Sequence, residues 1–151
     1  IPIQTSLEEF IFRGYMMEGF ASLLKNSWMP LIMTSVIFGL LHIYNPEVEK
    51  LGYSILIYYI GTGFFLGILS IMDQGIELSL GFHAANNLIT ALLVTSSWTV
   101  FQTESILIDV SEPNLFSEIV FSLLILYPLF LLVMSKKYNW NNWKEKMFLY
   151  F

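Results

Sequence analysis

Two adjacent carboxylates and a guanidinium, Glu8, Glu9 and Arg13, stand in a run that is otherwise oily, from Leu7 through Phe10, Ile11 and Phe12 to Tyr15, Met16 and Met17. A charged side chain in the middle of a bilayer costs about 2.5–3.5 kcal/mol on insertion scales. A membrane-length segment that holds three of them must therefore turn them away from lipid and give them partners. On a helix, Glu9 and Arg13 are four positions apart and share a face, which permits an internal ion pair, while Glu8 is rotated by about 100° from Glu9 and is left free for chemistry.

The rest of the chain makes the membrane reading the consistent one. Of 151 residues, 56% are hydrophobic and 13% charged, and the mean hydropathy is +0.65; a soluble globule of that composition would expose far too much apolar surface. Cysteine is absent, so thiolate chemistry and disulfides are excluded and any metal would fall to His, Glu, Asp and Asn. A net charge of −5 without a basic patch outside the tail argues against a nucleic-acid partner. The chain opens on Ile1 without a leader pattern, and a piece of a longer protein with further helices upstream is expected.

The expected architecture is all-α: a polytopic membrane bundle of about five helices forming one domain over residues 1–151. Helix one is expected from about Leu7 to Leu24, helix two from Trp28 to Tyr44 with His42 in its last turn, and helix three from Gly52 to Met72, where Gly61, Gly63 and Gly67 suit close packing. Helix four is expected from Glu77 to Ser97, an acidic loop outside the core from Trp98 to Ser117, and a peripheral helix five from Phe116 to Met134. Asn45-Pro46 and Asp73-Gln74-Gly75 are the stops between them. Lys25, Lys136, Lys137, Lys144 and Lys146 fall on one side and Lys50 on the other, which predicts a cytoplasmic C-terminus, and Trp28, Trp98, Trp140 and Trp143 fit an interfacial belt.

Inside those spans the unusual residues are Glu8, Glu9, Arg13, Glu18, His42, His83, Asn86 and Asn87. Taken singly, each has a structural reading: a buried ion pair for Glu9 and Arg13, an interfacial cap for His42, a satisfied core histidine for His83, a headgroup contact for Glu18. Both histidines of the chain fall on helices beside other polar residues, however, and intramembrane polar groups face the bundle interior and pair there. A carboxylate and a histidine can hold and deprotonate a water, directly or through a metal, while a second histidine and an amide donate to a developing oxyanion. His83 and Asn87 are i and i+4 on one face, whereas Asn86 is expected to point elsewhere.

The ordered set Glu8-Glu9-x3-Arg13, Phe38-x3-His42 and His83-x3-Asn87 resembles the three motifs of the CPBP (CAAX protease and bacteriocin-processing, or Abi) intramembrane endopeptidases. The resemblance covers a motif core over residues 7–93; the helix and tail over 116–151 match no motif. It implies that Glu8 activates water with His42, that Glu9 and Arg13 support the site, and that His83 and Asn87 stabilise the oxyanion. The implied partners are a peptide or membrane-tethered protein substrate and the lipid bilayer, in a bacterial cell membrane; a catalytically inert immunity or scaffold protein of the same fold is the alternative. Metal-free glutamate and metal mechanisms both remain open, the latter with Glu8, His42 and His83 as zinc ligands. The amide of Asn87 beside His83 favours the metal-free one.

Helix lengths add one constraint. At about 1.5 Å per residue, Glu8 is about 25 Å from Lys25, but His83 is only about 12 Å past Gly75, so straight helices do not bring them level. Either the stretch from Asp73 to Ser79 dips into the bundle, or helix one is displaced inward.

Overall fold

The computed structural model describes residues 1–112 and 114–149, with the side chains of residues 117 and 118 also outside the description. The first helical run is continuous over residues 2–24 but changes pitch: α1 (Pro2–Glu9) passes into a π-helical stretch, Phe10–Met16, and then into α2 (Met17–Leu24). The π stretch follows directly on the two glutamates and contains Arg13, and wide turns of this kind concentrate at functional sites. Lys25 ends α2 in the left-handed conformation, at φ 53°.

Next come α3 (Trp28–Leu41), the short α4 (Pro46–Leu51), α5 (Leu56–Asp73) with a single 3-10 turn before it, and α6 (Glu77–Leu93). The α3–α5 pair is the most extensive in the molecule. It closes through glycine: a Cβ on Gly39 would come within 2.9 Å of the Ile60 backbone nitrogen, and one on Gly63 within 3.1 Å of the Ser35 Cα. Gly67 faces Leu31 in the same seam, while Gly61 faces Leu123 of the last long helix. The glycine set therefore packs helices, as small residues do in membranes.

α3 stops three residues earlier than expected, so His42 lies beyond its last turn instead of within it. Its backbone sits at φ −88°, ψ 5°, in the sparsely occupied bridge region common in active sites. The cause is local. The His42 N–H bonds back to the Gly39 carbonyl in a tightened turn, its imidazole takes the Phe38 carbonyl, and Asn45-Pro46 then restarts the chain as α4.

The segment after α6 departs further from expectation. Helix four gives way at Val94 to β1 (Val94–Thr95), which pairs in parallel with β2 (Leu107–Ile108). The stretch between, expected as a loop outside the core, is folded back over the helix ends: the Val100 N–H donates to Glu47 at 2.8 Å and Gln102 bonds back to Ser96. Pro113 of the expected acidic loop lies outside the described residues.

Helix five is observed as α7 (Leu115–Ile119), a π-helical stretch Val120–Leu126, and α8 (Tyr127–Lys137). Most of it is exposed within the chain, yet it is not merely peripheral. Tyr127 is buried, its ring stacked on Phe65 at 4.2 Å and its hydroxyl 2.9 Å from that of Thr62. The tail also packs inward, carrying α9 (Trp143–Phe148). Trp140 joins the core cluster around Phe65, Leu69 and Met72 instead of standing in an interfacial belt, and Lys146 donates to the Met72 carbonyl at 2.8 Å.

The tail also meets the α5–α6 turn. Met72 and Ser79 on either side of it are buried and Ser70 and Ser79 share a hydroxyl hydrogen bond of 2.9 Å, while Gln74 and Glu77 within it are exposed, so the expected dip of Asp73–Ser79 into the bundle is not what is observed. By length and hydropathy, Tyr53–Asp73 and Val120–Lys137 qualify as membrane spans among the described residues, and Trp28–Leu41 is apolar but shorter.

Candidate active site

α1, the end of α3 and α6 bring Glu8, His42, His83, Asn86 and Asn87 to the lining of one cavity. Glu9 is fully buried. Its Oε1 accepts two hydrogen bonds, from Arg13 Nη1 at 2.9 Å and from His83 Nδ1 at 2.8 Å. A carboxylate oxygen only accepts, so Nδ1 of His83 carries the proton and Nε2 is left to face Glu8, 3.6 Å from its Oε2. Adjacent glutamates thus grip opposite edges of one imidazole.

Arg13 ties this pair to the rest of the bundle. Its Nη2 donates to the Gly63 carbonyl of α5 at 3.0 Å, and its guanidinium lies 4.6 Å from the centre of the Phe38 ring of α3. The same ring packs against both imidazoles, 4.7 Å from His42 and 5.9 Å from His83. Phe38 was visible in the sequence only as a motif position; in the fold it is the buried hub that separates and orients the charged and imidazole groups.

His42 is held differently. A backbone carbonyl also only accepts, so the 2.7 Å contact with Phe38 O places a proton on Nδ1 and leaves Nε2 with its lone pair. Tyr59 stacks on the other side of the ring at 4.4 Å, and its hydroxyl accepts from Asn45 at 3.4 Å. Neither Tyr59 nor Asn45 stood out in the sequence, because an aromatic at the end of an apolar helix and an asparagine before proline are ordinary features.

Glu8, His42, His83 and Asn87 all line a cavity of about 810 Å³. Glu9 and Arg13 stand behind its wall and do not line it. Glu8 keeps 23% of its side chain accessible and is steadied by Gln4, whose amide donates to Oε1 at 3.0 Å. Asn86 corrects the sequence reading: it lines the same cavity and donates to Asn87 Oδ1 at 3.3 Å. The cavity is wide enough for two successive residues of α6 to border it. With its oxygen occupied, Asn87 presents its NH2 as a donor. Glu18 lies apart, beside a smaller cavity near the α5–α6 turn.

A carboxylate and two imidazoles have the donor chemistry that zinc prefers. Among the described residues, however, no three His, Asp or Glu side chains are grouped so that they could hold one metal ion, and Phe38 stands against both imidazoles.

A family model described as type II CAAX prenyl endopeptidase Rce1-like matches residues 1–89, the stretch that contains every site residue above. The chain is also 35% identical over 123 residues to the uncharacterized protein YyaK of Bacillus subtilis (strain 168); the match covers 82% of this chain and 41% of that protein, so the chain spans well under half of that relative's length. No solved structure matches. Family match and fold agree on a membrane helical bundle, and the chain belongs to the Rce1-like type II CAAX prenyl endopeptidase family.

Proposed function

We propose that the protein is an intramembrane endopeptidase that hydrolyses a peptide bond in a membrane-associated peptide or membrane-tethered protein, with water as the nucleophile. The observation that carries this reading is the contrast between two neighbouring glutamates. Glu9 is fully buried and committed to Arg13 and His83, while Glu8 faces a cavity that His42 and His83 also line.

In this reading Glu8 is the general base. It takes a proton from a water that the free Nε2 of His42 also holds, and the resulting hydroxide attacks the scissile carbonyl. The carbonyl oxygen becomes an oxyanion, which accepts from the Asn87 NH2, while His83, its Nδ1 proton given to Glu9, faces the same site with Nε2. The proton held on Glu8 then passes to the amine as the C–N bond breaks, so base and acid are one residue in turn. Glu9 and Arg13 are positioning residues: they fix the His83 tautomer and its distance from Glu8. The setting is a bacterial cell membrane with the C-terminal tail in the cytoplasm, the cavity lying at the opposite end of the bundle from the lysine-rich tail.

The test is purified protein in lipid nanodiscs, incubated with a peptide library and read by mass spectrometry. Cleavage by the wild type and a loss of about 10²–10⁴-fold in Glu8→Gln, at unchanged melting temperature, is the expected result. A wild type that cleaves nothing, while Glu8→Ala and His42→Ala retain the full biological effect, would make the chain an inert immunity or scaffold protein instead.

A further inference from the structure

The two imidazoles of the site are held by different means. Nδ1 of His83 is bound by a buried carboxylate, Glu9 Oε1 at 2.8 Å. Nδ1 of His42 meets a neutral carbonyl four residues back, Phe38 O at 2.7 Å, and its backbone has already left the helix, at φ −88°, ψ 5°. An imidazole at a helix end with one neutral hydrogen bond keeps rotamer freedom, and in water the Nε2–H tautomer of neutral histidine is the favoured one. Both tendencies oppose the arrangement that hydrolysis needs from His42, a proton on Nδ1 and a bare Nε2 turned to the water.

Tyr59 supplies the missing restraint. Its ring lies on the imidazole at 4.4 Å and 23°, closer to parallel than the Phe38 ring at 48°. It comes from α5, the helix packed most extensively on α3. The phenol is itself tied at its far end. Asn45 Nδ2 donates to the hydroxyl at 3.4 Å, which leaves the hydroxyl proton for the Glu47 carboxylate beside it. Glu47 is buried, and its Oε1 is held in turn by the Val100 N–H at 2.8 Å. A buried glutamate thus stands behind each histidine, Glu9 in direct contact with His83 and Glu47 one aromatic ring away from His42.

We infer that Tyr59 is a positioning residue for His42: its ring, anchored through the hydroxyl to Asn45 and Glu47 of the α4 turn, fixes the rotamer and tautomer of the imidazole and so aims Nε2 into the cavity. The inference rests on the peptidase reading for the reaction it serves, but the state of His42 can be measured without catalysis.

The chain contains two histidines, so protein carrying isotope-labelled histidine in lipid nanodiscs gives two imidazole signal sets by NMR, assigned by the loss of one in His83→Gln. In the wild type the His42 set should show a protonated Nδ1 and a bare Nε2, with ring protons shifted upfield by the Tyr59 ring. Tyr59→Leu should abolish that shift and bring in the Nε2–H tautomer, and Tyr59→Phe, which keeps the ring but frees it from Asn45 and Glu47, should fall between. In peptide cleavage Tyr59→Leu should lower kcat by about 10–10²-fold with KM changed by less than about twofold, and Tyr59→Phe should lower it by less. A residue that served packing alone would lower the melting temperature on substitution while the His42 signals and kcat stayed as in the wild type. That result, or His42 signals that do not distinguish Tyr59→Phe from Tyr59→Leu, would overturn the assignment. A Tyr59-dependent tautomer in a wild type that cleaves nothing keeps the restraint on His42 and removes the peptidase, whereas cleavage with signals and kcat unmoved in Tyr59→Leu does the reverse.

Discussion

The buried pair Glu9–Arg13 allows a quantitative test of how the site is held. Arg13→Met removes a charged hydrogen bond to Glu9 at 2.9 Å, a bond to the Gly63 carbonyl at 3.0 Å and the contact with the Phe38 ring at 4.6 Å. Hydrogen bonds to charged groups contribute about 1.5–3 kcal/mol and a desolvated cation–π contact up to about 2 kcal/mol; leaving Glu9 as a buried charge without its cation gives an overall loss of about 3–5 kcal/mol. Glu9→Gln strands the opposite charge and should cost a similar amount, even though the new amide can still accept from His83. The double variant strands no charge. It should therefore lose about as much as one single variant instead of the sum, a coupling of about 3 kcal/mol. Equilibrium unfolding in mixed micelles, followed by the fluorescence of the four tryptophans, gives all three values. Single-variant losses that add to within about 0.5 kcal/mol in the double would refute the argument, because independent sites behave that way.

Packing, a core hydroxyl and metal content give three more expectations. Gly39→Ala forces a methyl against the Ile60 backbone and should cost about 1–3 kcal/mol in the same unfolding assay, whereas Gly19→Ala, with nothing within 4 Å of its added Cβ, should gain up to about 1 kcal/mol in helix propensity. Tyr127→Phe deletes the hydroxyl contact with Thr62 and should lower stability by about 1 kcal/mol while leaving peptide cleavage intact. Chelator-washed protein should keep its activity with less than stoichiometric metal by elemental analysis; one tightly held zinc per chain, with activity lost on stripping and regained on adding it back, would make Glu8 a ligand instead of the base.

What the sequence made legible was mostly what local chemistry decides. Asp73-Gln74-Gly75 ends α5 where expected, with Gln74 in the left-handed conformation, and the i,i+4 spacing of Glu9 and Arg13 forms the ion pair it permits. The convergence of α1, α3 and α6 followed from the cost of leaving their charges in lipid. Features that depend on distant partners had no such trace. Nothing near Glu47 announces that Val100, 53 residues on, will bond to it, and nothing in the tail announces that Lys146 will reach Met72, 74 residues back. The position of His42 outside its helix was hidden for a different reason: the competition for the Phe38 and Gly39 carbonyls is settled only when the imidazole has a place to turn, and Tyr59 of α5 supplies it.

Burial separates the environments of the two glutamates, whose chemistry is identical. A side chain that is to remain charged inside the bundle needs a cation within bonding distance, and a side chain that is to exchange protons with water needs a route to water. One helix cannot give both to the same residue. The turn of about 100° between consecutive positions sends Glu9 to Arg13 behind the wall and Glu8 to the cavity in front of it. His83 lies between them, bonded by Nδ1 to the buried partner and facing the accessible one with Nε2. The buried ion pair thus meets the cavity through a single imidazole. Arg13 extends the same logic across helices, because one guanidinium reaches α1, the Phe38 ring of α3 and the backbone of α5 at once. The position of His83 relative to Glu8 is therefore fixed by the contacts that hold these helices together.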